Sequence, residues 1–209
     1  MTAWWKDARA NPLFWRTVII ALAVITVDQA TKVWVLSWLQ LPERPFGHLE
    51  ISGIFDLTYV ENRGVSFGLF GGGGVFTRIA LTLLAIGVAG FVMHWVGRLD
   101  RRVAAIGAAL IVGGALGNAI DRMVHGFVVD FLDFSGLYFP WKFNVADAAI
   151  NVGVAFLATD AFFFAPKAAQ EHENAAPSPP PDAQMKANPD RIDAQNAPQA
   201  PEKSGSSEA

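Results

Sequence analysis

The chain has 209 residues, 52% of them hydrophobic and 17% charged, with 16 Phe, 7 Trp, no Cys and a mean hydropathy of +0.31. That balance is too apolar for an ordinary soluble domain, and the lack of cysteine excludes disulfide scaffolds, thiolate nucleophiles and Cys-ligated metal sites. The net charge of −3 belongs to the tail: residues 167–209 carry four basic and seven acidic side chains, whereas residues 1–166 carry twelve of each, which argues against a nucleic-acid partner.

A membrane-crossing helix needs about 20 mostly apolar residues. The first such stretch, about 14–36, is longer than the roughly 7–15 residues of a signal-peptide core. It also contains Asp28 and Lys32, so a retained helix is expected. An outer segment of about 45–70 follows, in which Ile51, Ile54, Phe55, Leu57, Tyr59 and Val60 form a strand-favouring run that ends near Asn62-Arg63-Gly64. Gly71 to Gly74 reads as a flexible joint; no Lys-Ser or Lys-Thr follows it, so a phosphate loop is poorly supported. Further spans are predicted at 75–96, 103–122 and 143–164, and Phe127 to Leu132 is an apolar run too short to cross. Residues 167–209, rich in Pro and Ala, lack the apolar surface to fold and are expected to be a disordered tail. The prediction is an all-α polytopic membrane protein of residues 1–166, with four transmembrane helices and a small extracytoplasmic β element between helices 1 and 2.

Orientation follows from Lys and Arg beside short connections. Lys6, Arg9 and Arg16 precede the first span, Arg98, Arg101 and Arg102 fill the second link, and Lys167 follows the fourth span. Both termini and the tail are therefore expected in the cytoplasm.

Ionisable residues inside a span cost several kcal/mol and need a reason. Counting at about 1.5 Å per residue puts Asp28 and Lys32, then Asn118, Asp121 and Arg122, then Asn144 and Asp147 in the same outer leaflet. Asn118, Asp121 and Arg122 share one helix face, as do Asn144, Asp147 and Asn151. Asp28 and Lys32, four residues apart, can neutralise each other, and Asp121 can pair with Arg122 or a neighbouring helix. Asp130, inside its short apolar run, and Asp147 have no evident basic partner. Two close acids in a low-dielectric site share one proton, which suits water-based peptide hydrolysis without metal or covalent intermediate. Spacing alone leaves Asp121 as a rival member of that pair. No Gly-x-Ser-x-Gly or His-Glu-x-x-His motif is present, so a serine hydrolase or a metal site is poorly supported. A proton-coupled transporter would need acids through both leaflets, yet the inner halves hold only Asp160, near the end of span four. A structural subunit would need its acids balanced by bases.

Five segments in order, Asp28-Gln29-Ala30-Thr31-Lys32, Asn62-Arg63-Gly64-Val65-Ser66-Phe67, Gly113 to Arg122, Val128-Val129-Asp130-Phe131 and Phe143 to Gly153, resemble the motifs of the lipoprotein signal peptidase (signal peptidase II) family over roughly residues 14–165. The resemblance implies a monomeric aspartic endopeptidase of the bacterial inner membrane, without cofactor or metal. It would act near the outer face and cut prolipoproteins just before a diacylglyceryl-modified cysteine, in contact with membrane lipid. By motif, Asp130 and Asp147 become the catalytic dyad, Asn62, Asn118, Arg122 and Asn144 supporting or substrate-contacting residues, and Asp28, Lys32 and Asp121 structural polar groups. The outer β segment resembles the family's cradle at the membrane surface. Val65 and Ser66 stand where the family often has small alanines.

Overall fold

A computed structural model describes residues 8, 10–64 and 74–164. The predicted tail, the Gly71–Gly73 part of the joint, and Val65 and Ser66 lie outside the described residues. The four expected spans are helices α1 (Pro12–Val33), α2 (Val75–Val96), α3 (Arg102–Val124) and α4 (Val145–Phe164). All four are long and apolar enough to cross a membrane. α1 starts where Asn11 caps it: its Oδ1 accepts the Leu13 N–H at 2.9 Å, and Pro12 occupies a first-turn position that needs no donor. The Asn11 Nδ2 donates to the Leu99 carbonyl at 2.9 Å, tying the start of α1 to the link between α2 and α3. At its far end α1 loosens into a π-helical turn, Trp34–Trp38.

The central helix is α3, which packs on each of the other three and is the most buried. Its sequence allows this because Ala and Gly replace large side chains along the contact faces, so backbones approach closely. Gly107 and Gly153 face each other across α3 and α4: a Cβ on Gly107 would stand 2.8 Å from the Gly153 carbonyl oxygen, and one on Gly153 would stand 2.7 Å from that of Gly107. The outward faces of α1, α2 and α4 leave Ile19, Leu22, Leu84, Phe91, Val154 and Phe162 exposed, a surface suited to hydrocarbon rather than water.

The β element is larger than the sequence suggested. Strands β1 (His48–Glu50) and β2 (Asp56–Asn62) lie between α1 and α2, but β3 (Val128–Asp133) and β4 (Lys142–Phe143) lie between α3 and α4. All four form one antiparallel sheet in the order β1-β2-β3-β4, with Asp130 opposite Val60 and Asn62 opposite Val128. The short run around Asp130, read as an isolated apolar stretch, is thus an inner strand. The predicted strand run also narrows, because Ile51 and Ile54 sit exposed in the β1–β2 turn, where Ser52 Oγ accepts the Phe55 N–H. Leu57, Val129 and Phe131 pack with Val35 and Leu41 into one buried cluster, which seats the sheet on the end of α1. Strand alternation turns Val129 and Phe131 into that cluster and leaves Asp130 between them facing the other way.

Candidate active site

The predicted polar residues gather at the sheet end of the bundle in two adjoining groups. In the first, Lys32 is 2% exposed and stands 2.8 Å from both Asp28 Oδ2 and Asp121 Oδ2. Asp28 Oδ1 accepts the Ala146 N–H at 2.9 Å, in the first turn of α4, where the helix dipole favours an anion. Asp121 Oδ2 also accepts the Val129 N–H at 3.0 Å, and Gln29 Nε2 donates to Asp121 Oδ1 at 2.8 Å and to Asp28 Oδ2 at 3.2 Å. Every oxygen of these two carboxylates is bonded. Asp121 pairs with Lys32 across helices and not with its neighbour Arg122. Gln29, next to Asp28 in the sequence, is a further member of this group that the sequence pattern alone does not single out. The spacing of Gly117 matters here, because a Cβ on it would lie 2.8 Å from Asp28 Oδ2.

The second group holds Asp130 and Asp147, connected through asparagines. Asp130 Oδ1 accepts from Asn144 Nδ2 at 2.7 Å and its Oδ2 from Asn62 Nδ2 at 3.0 Å, while Asp147 Oδ1 accepts from Asn118 Nδ2 at 2.7 Å. Each amide is held in orientation by a donor on its own carbonyl oxygen. Asn62 Oδ1 accepts the Gly64 N–H at 2.9 Å, Asn144 Oδ1 accepts the Asp147 N–H at 2.9 Å, and Asn118 Oδ1 accepts from Lys32 Nζ and Asn144 Nδ2 at 3.3 and 3.2 Å. With each carbonyl occupied, the NH2 groups must face the acids. Asn144 is the N-cap of α4 and not a residue of its face: Phe143 belongs to β4, and the helix starts two residues later than predicted. Asn151 donates to the Asp147 carbonyl oxygen at 3.0 Å. Arg122, expected beside the acids, donates to the Asn118 carbonyl oxygen at 3.4 Å and lines a neighbouring groove.

Electrostatics separates two acids of one strand. Burial, reinforced by the charge of Asp147, pushes Asp130 up to about 7, against the bonds from Asn62 and Asn144. Burial raises Asp133 too, but Thr58 and Ser135 bonded to it and Lys142 nearby outweigh that and bring it down to about 2. Among the described residues no cation pairs directly with Asp130 or Asp147.

Three grooves open onto this group. One of about 420 Å³ is walled by Phe139, Trp141, Phe143 and Ile150 and reaches Asp147; one of about 350 Å³ runs past Asn62 and Trp141 to Asp130; one of about 270 Å³ runs between Leu81, Leu84 and Ile111 to Asn118 and Arg122. The aromatic wall at 139–143 was missed, although three aromatic residues in five were legible as a signal.

The fold and the site define a polytopic membrane protein in which two acids with no directly paired cation among the described residues line grooves at the sheet end of the bundle. The signal peptidase (SPase) II family model matches residues 20–163. A lipoprotein signal peptidase of Caulobacter vibrioides is 43% identical over 152 residues, covering 71% of this chain and 87% of that one; that of Shewanella halifaxensis is 40% identical, covering 76% and 89%. A solved bacterial membrane enzyme superposes with a TM-score of 0.61 at 25% identity, covering 71% of this chain and 94% of its own, and a second shares the fold with a TM-score of 0.58 at 22% identity. The chain belongs to the signal peptidase II family, and its family activity is that of a peptidase removing signal peptides from prolipoproteins.

Proposed function

We propose that the chain is an intramembrane aspartic endopeptidase of the bacterial inner membrane that cuts prolipoproteins immediately before a diacylglyceryl-modified cysteine, with Asp130 and Asp147 as its catalytic pair. The observation that carries this reading is the contrast in compensation: Lys32 serves Asp28 and Asp121, whereas Asp130 and Asp147 receive only neutral amide donors. Two such acids hold one proton between them. One, as carboxylate, takes a proton from water while the water oxygen bonds to the scissile carbonyl carbon; the other gives its proton to the carbonyl oxygen. The first then protonates the leaving cysteine nitrogen as the C–N bond breaks, and the second takes back the proton from the collapsing intermediate. The pair returns to one proton, with no metal or cofactor in the cycle.

Asn62, Asn118 and Asn144 hold the acids at fixed positions, and Arg122 in its apolar groove serves as a polar contact for substrate. Asp28, Lys32 and Asp121 act as scaffold. Arg16, Arg98, Arg101 and Arg102 lie at the end of the bundle away from the sheet, which favours both termini in the cytoplasm and the acids near the outer face. A signal peptide crosses the membrane with its cleavage point at that depth, and the acyl chains of the adjoining cysteine would lie in the apolar grooves, with the sheet as a cradle beside them. One chain supplies every named group, which favours a monomer.

The test is cleavage of a diacylglyceryl-cysteine peptide by the purified protein, beside its unmodified counterpart. Cutting of the lipidated peptide alone is expected. Equal cutting of both would overturn the lipid requirement, and cutting of neither would overturn the endopeptidase.

A further inference from the structure

At the end of the bundle opposite the acids, α1 and α3 enclose a second kind of groove, of about 200 Å³, whose walls include Ile19, Ile20 and Ile106 and whose rim carries Arg16 and Arg102. The floor is closed by a helix-to-helix bond, Thr17 Oγ1 donating to the Ala105 carbonyl oxygen at 3.3 Å. We propose that this groove is a binding site for an anionic phospholipid, separate from the peptidase site and independent of how that site is read.

The spacing of the residues orders the site along the bundle. Arg16 precedes Ile19 and Ile20 by three and four positions, and Arg102 precedes Ile106 by four, so on both helices the cation lies about 4.5–6 Å nearer the helix start than the apolar wall it belongs to. Helices that cross a membrane side by side from that end put both guanidiniums at headgroup depth and the isoleucines one turn deeper in the hydrocarbon. A phosphodiester oxygen pair meets two guanidiniums, which bind it through several N–H donors, while the first methylenes of an acyl chain lie along Ile19, Ile20 and Ile106. Arg16 and Arg102 are both exposed, and among the described residues neither has a carboxylate partner, unlike Arg101, which stands 3.4 Å from Asp160. Two cations and, among the described lining residues, no acid favour a lipid of net negative charge over a zwitterionic one, whose own ammonium would add to the positive field.

The test is lipid retention by the detergent-purified full chain, read by native mass spectrometry with dioleoyl phosphatidylglycerol, dioleoyl phosphatidylcholine or inorganic phosphate as probe. Retention of the phosphatidylglycerol at least fivefold above the phosphatidylcholine is expected, with no displacement by millimolar phosphate. R16Q/R102Q should remove that preference. Because that variant alters charges that set topology, I106W serves as a second: it keeps both arginines, fills the groove, and should lower phosphatidylglycerol retention at least threefold. Equal retention of both lipids by the unaltered chain, a preference that survives R16Q/R102Q, undiminished phosphatidylglycerol retention by I106W, or displacement by phosphate alone would each overturn the assignment of an anionic lipid held by headgroup and chain together.

Discussion

Two pairs of acids sit a few residues apart in this bundle and are treated in opposite ways. Asp28 and Asp121 share a buried lysine, and their remaining oxygens take backbone N–H groups and Gln29. Asp130 and Asp147 are given amide donors and open grooves, and Asp130 is pushed up to about 7. The first pair is bridged by one lysine and built into the crossing of α1, α3 and α4. In the second, Asp130 is raised toward neutral pH by burial and the charge of Asp147, which suits the proposed acid–base role better than a scaffold. The two are mechanically joined, because Lys32 also fixes the Asn118 carbonyl oxygen and so turns the Asn118 NH2 toward Asp147.

The comparison breaks most sharply through the open pair. Asp130→Asn and Asp147→Asn should each lower cleavage of a lipidated peptide at least ~10³-fold while leaving the chain inserted and folded; the turnover rate and the circular dichroism spectrum check this. In the closed pair, Lys32→Met leaves two buried carboxylates without their cation and should cost about 3–5 kcal/mol, seen as loss of folded protein on thermal melting. Asn118→Leu lies between the two and should reduce turnover about 10–100-fold with a smaller effect on melting, since it removes the bond to Asp147 and the acceptor shared by Lys32 and Asn144 but leaves Lys32 paired with both its carboxylates. The smallest effect is one of sign. A carboxyl raised from its ordinary value near 3.8 to about 7 is folded most favourably when protonated. Its penalty therefore grows as pH rises from about 4 to 7 and is constant above that. Asp130→Asn should then raise the melting temperature more at pH 8 than at pH 5, a difference that equal shifts at both pH values would refute.

The spans were legible because hydropathy and length are local properties, and α2 matches its prediction, Val75–Val96, at both ends. The sheet was half legible. Its second hairpin is made of a two-residue strand, β4, paired with a six-residue strand, β3, which in turn pairs with β2 across 66 residues or more of sequence, and no local pattern encodes that long-range pairing. For the same reason the start of α4 was misplaced: Phe143 continues the apolar run of the helix, so only the bond from the Asp147 N–H to Asn144 marks the boundary. Within the site, the residue types and shared depth could be read by counting, but Lys32 looked sufficient for Asp28 alone. Its second acid, and the donors that lock the Asn118 carbonyl oxygen, depend on contacts between segments far apart in sequence, whereas Asn62 and Asn144 are locked by backbone N–H groups two and three residues further on.

The central claim, that Asp130 and Asp147 share one proton, is tested most directly by infrared difference spectroscopy of the carboxyl C=O stretch at pH 6. A single protonated-carboxyl band is predicted that either Asp130→Asn or Asp147→Asn removes and that Asp28→Asn leaves in place. A spectrum with no such band, or a band lost only in Asp28→Asn, would contradict it.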